Sequence, residues 1–347
     1  MRRVLAAATV GASLLLAAGC SSSSSSSSAA DPGSTASGGS SPVTVRLGFL
    51  TNITHASALV GLKEGFFTKD LGSAGTLKAT AFSTGTEETT ALLAGQLDAA
   101  YVGPNPAINA WQKSNGTAIK IISGAATGGA SVVVEKGITS ASQLKGKTLA
   151  TPSLGNTQDV ALRYWLKQNG LATTSTGGGD AFIKPTTPNS AAVLEFKSGQ
   201  IAGGSEPAPY DIEMVKDGGT VLLSETGVTT LLVVTQSFLA AHPAVVADLV
   251  RAQIQANDFI KSSPAAAQAD ANAELGSYTG KPLKASIVAA AFKEITFTND
   301  PDVSSLTSDA SQAESLGLLK PVNLSGIFDL GPLNTALAAA GESQVSS

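Results

Sequence analysis

Residues Glu87–Lys113, EETTALLAGQLDAAYVGPNPAINAWQK, decide the fold class. Glu87–Ala94 carries the apolar spacing of a helix and stops at Gly95, a residue that takes positive φ at a helix end. Asp98–Val102 is short and mostly small and apolar, the pattern of a strand buried on both faces. Gly103 turns the chain, and Pro106–Lys113 begins a second helix with proline in its first turn. Helix, strand and helix in so short a stretch argue for α/β architecture.

The same alternation extends outward. Upstream, Val43–Leu50 and Leu77–Phe82 read as strands, and Ala56–Leu71 as helix made irregular by Gly61 and Gly65. Ala118–Ser123 is a further strand. A second series holds strands at Lys147–Thr151, Ala181–Pro185, Ile201–Gly204, Thr220–Leu223 and Thr229–Thr235. Its helices are Thr157–Gln168, closed by Asn169-Gly170-Leu171, then Ser190–Lys197 and Pro209–Lys216. Beyond Gln236 the pattern is almost wholly helical, with no strand around which a separate domain could form. Two lobes are expected: 43–131 plus 236–347, and 132–235. The chain would cross between them near Ser131–Glu135 and near Thr229–Thr235, making a double-crossing hinge suited to closure on a ligand.

Composition narrows the function. The chain has 347 residues, 43% hydrophobic and 14% charged, enough for a large core and against disorder. A formal net charge of −4 argues against general nucleic-acid binding. One Cys and two His exclude a disulfide framework and an ordinary zinc or iron–sulfur centre, so no metal and no cofactor are expected. No nucleophile elbow, phosphate-binding loop or dinucleotide fingerprint is present, so a non-enzymatic role is expected.

The single Cys has a particular place. Arg2 and Arg3 precede a short apolar run, Val4–Ala18, the layout of a signal peptide over residues 1–19. Leu16-Ala17-Ala18-Gly19-Cys20 resembles a bacterial lipobox, with Ala17 standing where a larger aliphatic residue is usual. Cys20 would be acylated as the mature N-terminus. Residues 20–42 are dominated by serine, a flexible tether. The protein is therefore expected on the extracytoplasmic face of the cell membrane, anchored by lipid.

Ligands of open α/β sheets sit beyond the carboxyl ends of strands. The segments there supply the candidate ligand residues: Thr54 and His55; Thr84; Gly103, Pro104 and Asn105; Asn156, Thr157 and Gln158; Glu206 and Tyr210. Helix capping is an equal or better reading for Thr84, whose partner would be Glu87, and for Asn156 or Thr157. His55 also fits a locally hydrogen-bonded residue, and Glu206 a structural carboxylate. Trp111 and Trp165 read as core. None of the five loops holds Lys or Arg, which favours a monoanion, a zwitterion or a neutral solute over a doubly charged anion. Glu206, facing a cleft, would suit an ammonium group.

Several of these segments resemble the solute-binding proteins of ABC importers, in the nitrate, sulfonate and taurine branch that also holds thiamine-precursor binders. The resemblance rests on Gly48-Phe49-Leu50 with Thr54-His55-Ala56, on Leu92 to Tyr101, on Gly103-Pro104-Asn105-Pro106, on Gln143 to Lys147 and on Thr151-Pro152 to Asp159. It implies the two-lobed periplasmic-binding-protein type II fold, a small solute in the cleft and permease subunits as membrane partners of a monomer. A sulfonate-like solute, with an aminosulfonate such as taurine favoured by Glu206, heads the expectations. Nitrate, bicarbonate or a thiamine precursor on the same fold, an enzyme, and a sensor lipoprotein are the alternatives. The small residues of Gly203-Gly204-Ser205-Glu206-Pro207-Ala208-Pro209-Tyr210 stand where relatives carry bulkier ones.

Cys20→Ser is expected to move the protein from the membrane fraction to the soluble extracytoplasmic fraction. Fractionation and immunoblotting check this, and a variant as membrane-bound as the wild type defeats the lipoprotein reading.

Overall fold

The computed structural model describes residues 42–346, so the leader, Cys20 and all of the tether but Pro42 lie outside the described residues. Two sheets organise them. The first has six strands in the order β11-β4-β10-β3-β1-β2, and the second five in the order β7-β6-β8-β5-β9. In chain order the strands are β1 Val43–Leu50, β2 Gly75–Phe82, β3 Ala99–Val102, β4 Ile119–Gly128, β5 Ala130–Val134, β6 Thr148–Thr151, β7 Phe182–Pro185, β8 Gly203–Pro207, β9 Thr220–Ser224, β10 Val228–Thr235 and β11 Ile295–Phe297. Strand β1 runs parallel to β2 and β3, whereas β10 runs antiparallel to β3 and β4. In the second sheet β6 is parallel to β7 and β8, and β5 is antiparallel to β8 and β9. This is the mixed α/β architecture the alternating pattern predicts.

The all-buried sequence of β10, VTTLLVVT, follows from helices on both faces of the first sheet. Successive strand residues point to opposite faces. Leu232 and Val234 join one core with Leu249 of the long helix Pro243–Ser262 and Leu333 of the last helix. Leu231 and Val233 join the other with Trp111 and with Leu306 of the helix Val303–Ser315. Val132 and Leu149 of the second sheet pack on Leu162 and Leu166 of the helix Thr157–Gln168. No helix among the described residues is long and apolar enough to cross a membrane.

Five features differ from the sequence reading. The tail does supply a strand, β11, which pairs antiparallel with β4 and ties the tail to the first sheet. Ser131–Glu135, read as a crossing, falls largely in a full strand of the second sheet, Ala130–Val134. Strand β10, placed with the second lobe, belongs to the first sheet, so the crossings fall at Gly129 and at residues 225–227. Ser205 and Glu206, read as following a strand, lie within β8. The expected helix Ala56–Leu71 is two helices, Ala56–Lys63 and Phe66–Leu71, broken where Gly65 takes φ +71°.

Gly129, at the first crossing, has φ +75°, and a Cβ there would lie 2.3 Å from Ile295 Cγ1. Gly129→Ala is expected to cost about 3 kcal/mol, adding left-handed backbone strain to overpacking. At Gly65 a Cβ would meet nothing within 4 Å. Gly65→Ala is therefore expected to cost only about 1 kcal/mol. Urea unfolding of the two variants measures the difference, and equal costs would show that the crossing is not tightly packed.

Candidate functional site

The loops beyond β1, β3, β6 and β8, with the start of the helix Gly85–Leu93, meet around a cavity of about 20 Å³ between the two sheets. That is room for about one water molecule. Six of the expected residues line it: Thr54, His55, Gly103, Asn156, Thr157 and Gln158. Asn52, Gly85, Pro106, Pro207 and Thr229 line it as well and were not among the expected residues. The signal for Asn52 was its place in the Thr54-His55 loop. For Thr229 it was a threonine pair in an otherwise apolar strand.

His55 is 1% exposed and held within the chain. Its Nε2 donates to the Tyr101 carbonyl at 3.0 Å. Asn52 Oδ1 is placed 2.9 Å from Nδ1 and 2.7 Å from Thr54 Oγ1. With Nε2 donating, Nδ1 of the neutral ring is left as an acceptor, and Thr54 Oγ1 lies 3.2 Å from it. Burial pushes the His55 pKa down to about 3, against a weaker opposing pull from the Tyr101 carbonyl.

The facing wall is the start of the helix Thr157–Gln168. Asn156 caps it, accepting from Asp159 N at 3.0 Å, and donates from Nδ2 to Gln158 Oε1 at 3.0 Å. Asp159, wholly buried, accepts from Gly155 N at 2.8 Å and lies 2.8 Å from Arg163 Nε. This ion pair fixes the loop's backbone, while desolvation still outweighs Arg163 and raises the Asp159 pKa. Thr157 Oγ1 has no hydrogen-bond partner, and a Cβ on Gly103 would lie 2.6 Å from it. The loops of the two sheets thus come close together at Gly103 and Thr157.

The other five expected residues stand outside the lining. Thr84 caps the helix Gly85–Leu93, its Oγ1 accepting from Glu87 N at 3.2 Å. Pro104 is buried in the first turn of the helix Pro104–Lys113. Asn105 donates to the Asp309 carbonyl at 3.3 Å. Tyr210 donates its hydroxyl to the Thr51 carbonyl at 2.9 Å. Glu206 is wholly buried in β8 with neither oxygen partnered, and burial together with Asp211 holds its pKa well above the carboxylate range. Set outside the lining, Glu206 does not present its carboxyl group to the cavity. Trp165, read as core, is half-buried, whereas Trp111 is core and donates to the Asn323 carbonyl at 2.9 Å.

The sequence profile of the NMT1-like family matches residues 38–275, more than half of the chain. No curated protein sequence matches it. Solved structures share the fold. The alkanesulfonate-binding protein SsuA from Xanthomonas axonopodis pv. citri, bound to MOPS, has a TM-score of 0.69 at 16% identity, over 84% of this chain and 99% of its own. The periplasmic nitrate-binding protein NrtA from Synechocystis PCC 6803 has a TM-score of 0.73 at 15% identity, over 86% and 89%. A C27S mutant of DSZB in complex with biphenyl-2-sulfinic acid has a TM-score of 0.62 at 15% identity, over 85% and 99%. The fold is that of the periplasmic binding proteins.

The His55 shift sets a pH dependence. The folded pKa, about 3, lies below the unfolded value of 6.5, so protonation favours the unfolded chain. This group's contribution is whole above pH 6.5 and declines as pH falls toward 3. Between pH 6.5 and 5 the loss is about 2 kcal/mol. Raised carboxyls such as Glu206 run the opposite way, so the readout is the difference between wild type and His55→Gln. Denaturant unfolding is expected to show that difference shrinking by about 2 kcal/mol on acidification; a constant difference means His55 is not neutral and buried.

Proposed function

The chain belongs to the NMT1-like family, and from that membership we propose that it is the lipid-anchored, extracytoplasmic solute-binding component of an ABC importer. In this reading the first sheet with the tail is one lobe, the second sheet the other, and the lobes separate and close about a small solute. The monomeric receptor then presents that solute to permease subunits in the membrane. The observation that carries the reading is the meeting of loops from both sheets, at the carboxyl ends of strands, around one cavity lined by amide, hydroxyl and imidazole groups.

The cavity's size supports motion. A space of about 20 Å³ is smaller than a sulfonate, so entry requires the loops to part. Hydrogen bonds that would break on parting join them. Thr86 Oγ1 lies 3.1 Å from Ser153 Oγ, Asn109 donates to the Gly155 carbonyl at 3.4 Å, and Ile53 N donates to the Ala208 carbonyl at 2.8 Å.

The lining holds no Lys or Arg among the described residues, which suits a monoanion bound by neutral donors. The fold neighbours named for alkanesulfonate and nitrate binding agree with that chemistry. A sulfonate-like monoanion is therefore the proposed solute, with Thr54, His55, Gly103, Asn156, Thr157 and Gln158 as its surroundings. Thr157 Oγ1 is available to donate. The aminosulfonate preference rested on Glu206, which stands outside this lining.

Thermal-shift screening of alkanesulfonates, taurine, nitrate, bicarbonate and pyrimidines tests this. A cognate solute at 100 times its Kd is expected to add about 2.7 kcal/mol. Gly103→Val should still fold but lose that response, since a Cβ there would already lie 2.6 Å from Thr157 Oγ1 and hold the loops apart. No shift with any solute from a folded sample defeats the receptor reading.

A further inference from the structure

A second, larger cavity, about 540 Å³, opens beside the first on the side of the second chain crossing. Its walls are the helix Thr157–Gln168, the crossing at 225–227 and the helix Val303–Ser315. Three carboxyl side chains line it: Glu225 from the crossing, and Asp302 and Asp309 from the tail. Tyr164 and Trp165 line it from the opposite helix. No Lys or Arg is among the described residues of the lining.

Two polar groups there have no partner in the chain. Asp309 Oδ2 is buried and unbonded. Thr157, only 6% exposed, has an unbonded Oγ1 and lines both cavities. Glu225 is partly satisfied, accepting from Ser205 Oγ at 3.1 Å. Burial, then the charges of Glu225 and Asp302, hold the Asp309 pKa well above the carboxylate range, and burial pushes Glu225 up to about 7. Acids that face each other without a counter-charge bind protons instead. A cation between them would relieve the same repulsion and let them ionise. Trp and Tyr rings beside carboxyl groups add a surface that attracts ammonium groups and covers their alkyl carbons. No group of three His, Cys, Asp or Glu side chains among the described residues is placed to hold a metal ion, which points away from a bare metal.

We propose that this hinge-side cavity is a second binding site, for a small organic ammonium ion, held by Asp309 and Glu225 against Trp165. It is separate from the solute site of the first cavity, and its existence does not depend on what that site takes.

Isothermal titration of the full chain with putrescine and with choline, and with butane-1,4-diol as the neutral control, tests the site. Saturable one-to-one binding of at least one cation, with none of the diol, is expected. Asp309→Asn should weaken it at least tenfold, and Glu225→Gln should weaken it in the same direction. Should Asp309→Asn fail to fold, Glu225→Gln and Trp165→Leu provide the same comparison. Absence of saturable cation binding to the wild type overturns the proposal. So does an affinity unchanged in the folded variants, which would place the cation elsewhere.

Discussion

Two hydrogen bonds between the chain crossings set the geometry of everything else. Gly128 N donates to the Gly227 carbonyl at 2.9 Å, and Glu225 N donates to the Ala130 carbonyl at 2.8 Å. The outgoing and returning segments therefore run as a pair. Strand β4 lies beside β10 in the first sheet, and β5 lies beside β9 in the second, as continuations of that pair. A Cβ on Gly128 would meet the Glu294 carbonyl at 2.6 Å, so the tail closes over the crossing on one side. With the crossings side by side, the carboxyl ends of β1, β3, β6 and β8 are brought to one place. Both cavities follow from this: one between the loops, the other between the second crossing and the tail.

Much of the fold was legible because burial on both faces leaves a strong pattern. A strand such as β10 has no polar face, and a helix such as Thr157–Gln168 begins at a capping Asn and ends at Asn-Gly. What escaped had weak local signals. Strand β11 is three residues long and exists through its pairing with β4. Ala130–Val134 looks like any apolar connector, and its edges are set by Gly129 and by partners far along the chain. The site was legible as loops but not as side chains. Position after a strand identified the right segments, yet whether Thr84 or Thr157 faces the cavity depends on which hydroxyl a helix end claims. Thr84 is used as a cap, whereas Asn156 does that work for the next helix and leaves Thr157 free.

Buried carboxyls are the molecule's other recurring feature. Glu88, Glu206, Asp211 and Asp309 are all pushed well above the carboxylate range, with burial the largest cause in each. Ionised and unpaired, each would be costly in such surroundings. Protonated, each is a tolerable polar group. The formal charge of −4 counts them as anions, so the folded chain carries less negative charge than its composition implies. Among the described residues only Asp159 has a buried cationic partner, Arg163. That pair sits behind the loop 152–158, where a fixed backbone matters most to the cavity wall.

The balance between parted and closed loops follows from the kind of contact that joins them. Thr86 with Ser153, Asn109 with Gly155, Tyr210 with Thr51 and Ile53 with Ala208 are hydrogen bonds, and Val160, Ala208 and Ile212 add buried apolar contacts across the same divide. Water replaces such bonds when the loops part, so each contributes only about 1 kcal/mol net. Four of them contribute a few kcal/mol together. Binding with micromolar affinity corresponds to about 8 kcal/mol, larger than the gap that these bonds set. A solute that contacts both walls can therefore control closure, whereas one that contacts a single wall shifts nothing. That requirement favours a ligand able to reach from Thr54 to Thr157, the two sides of the cavity.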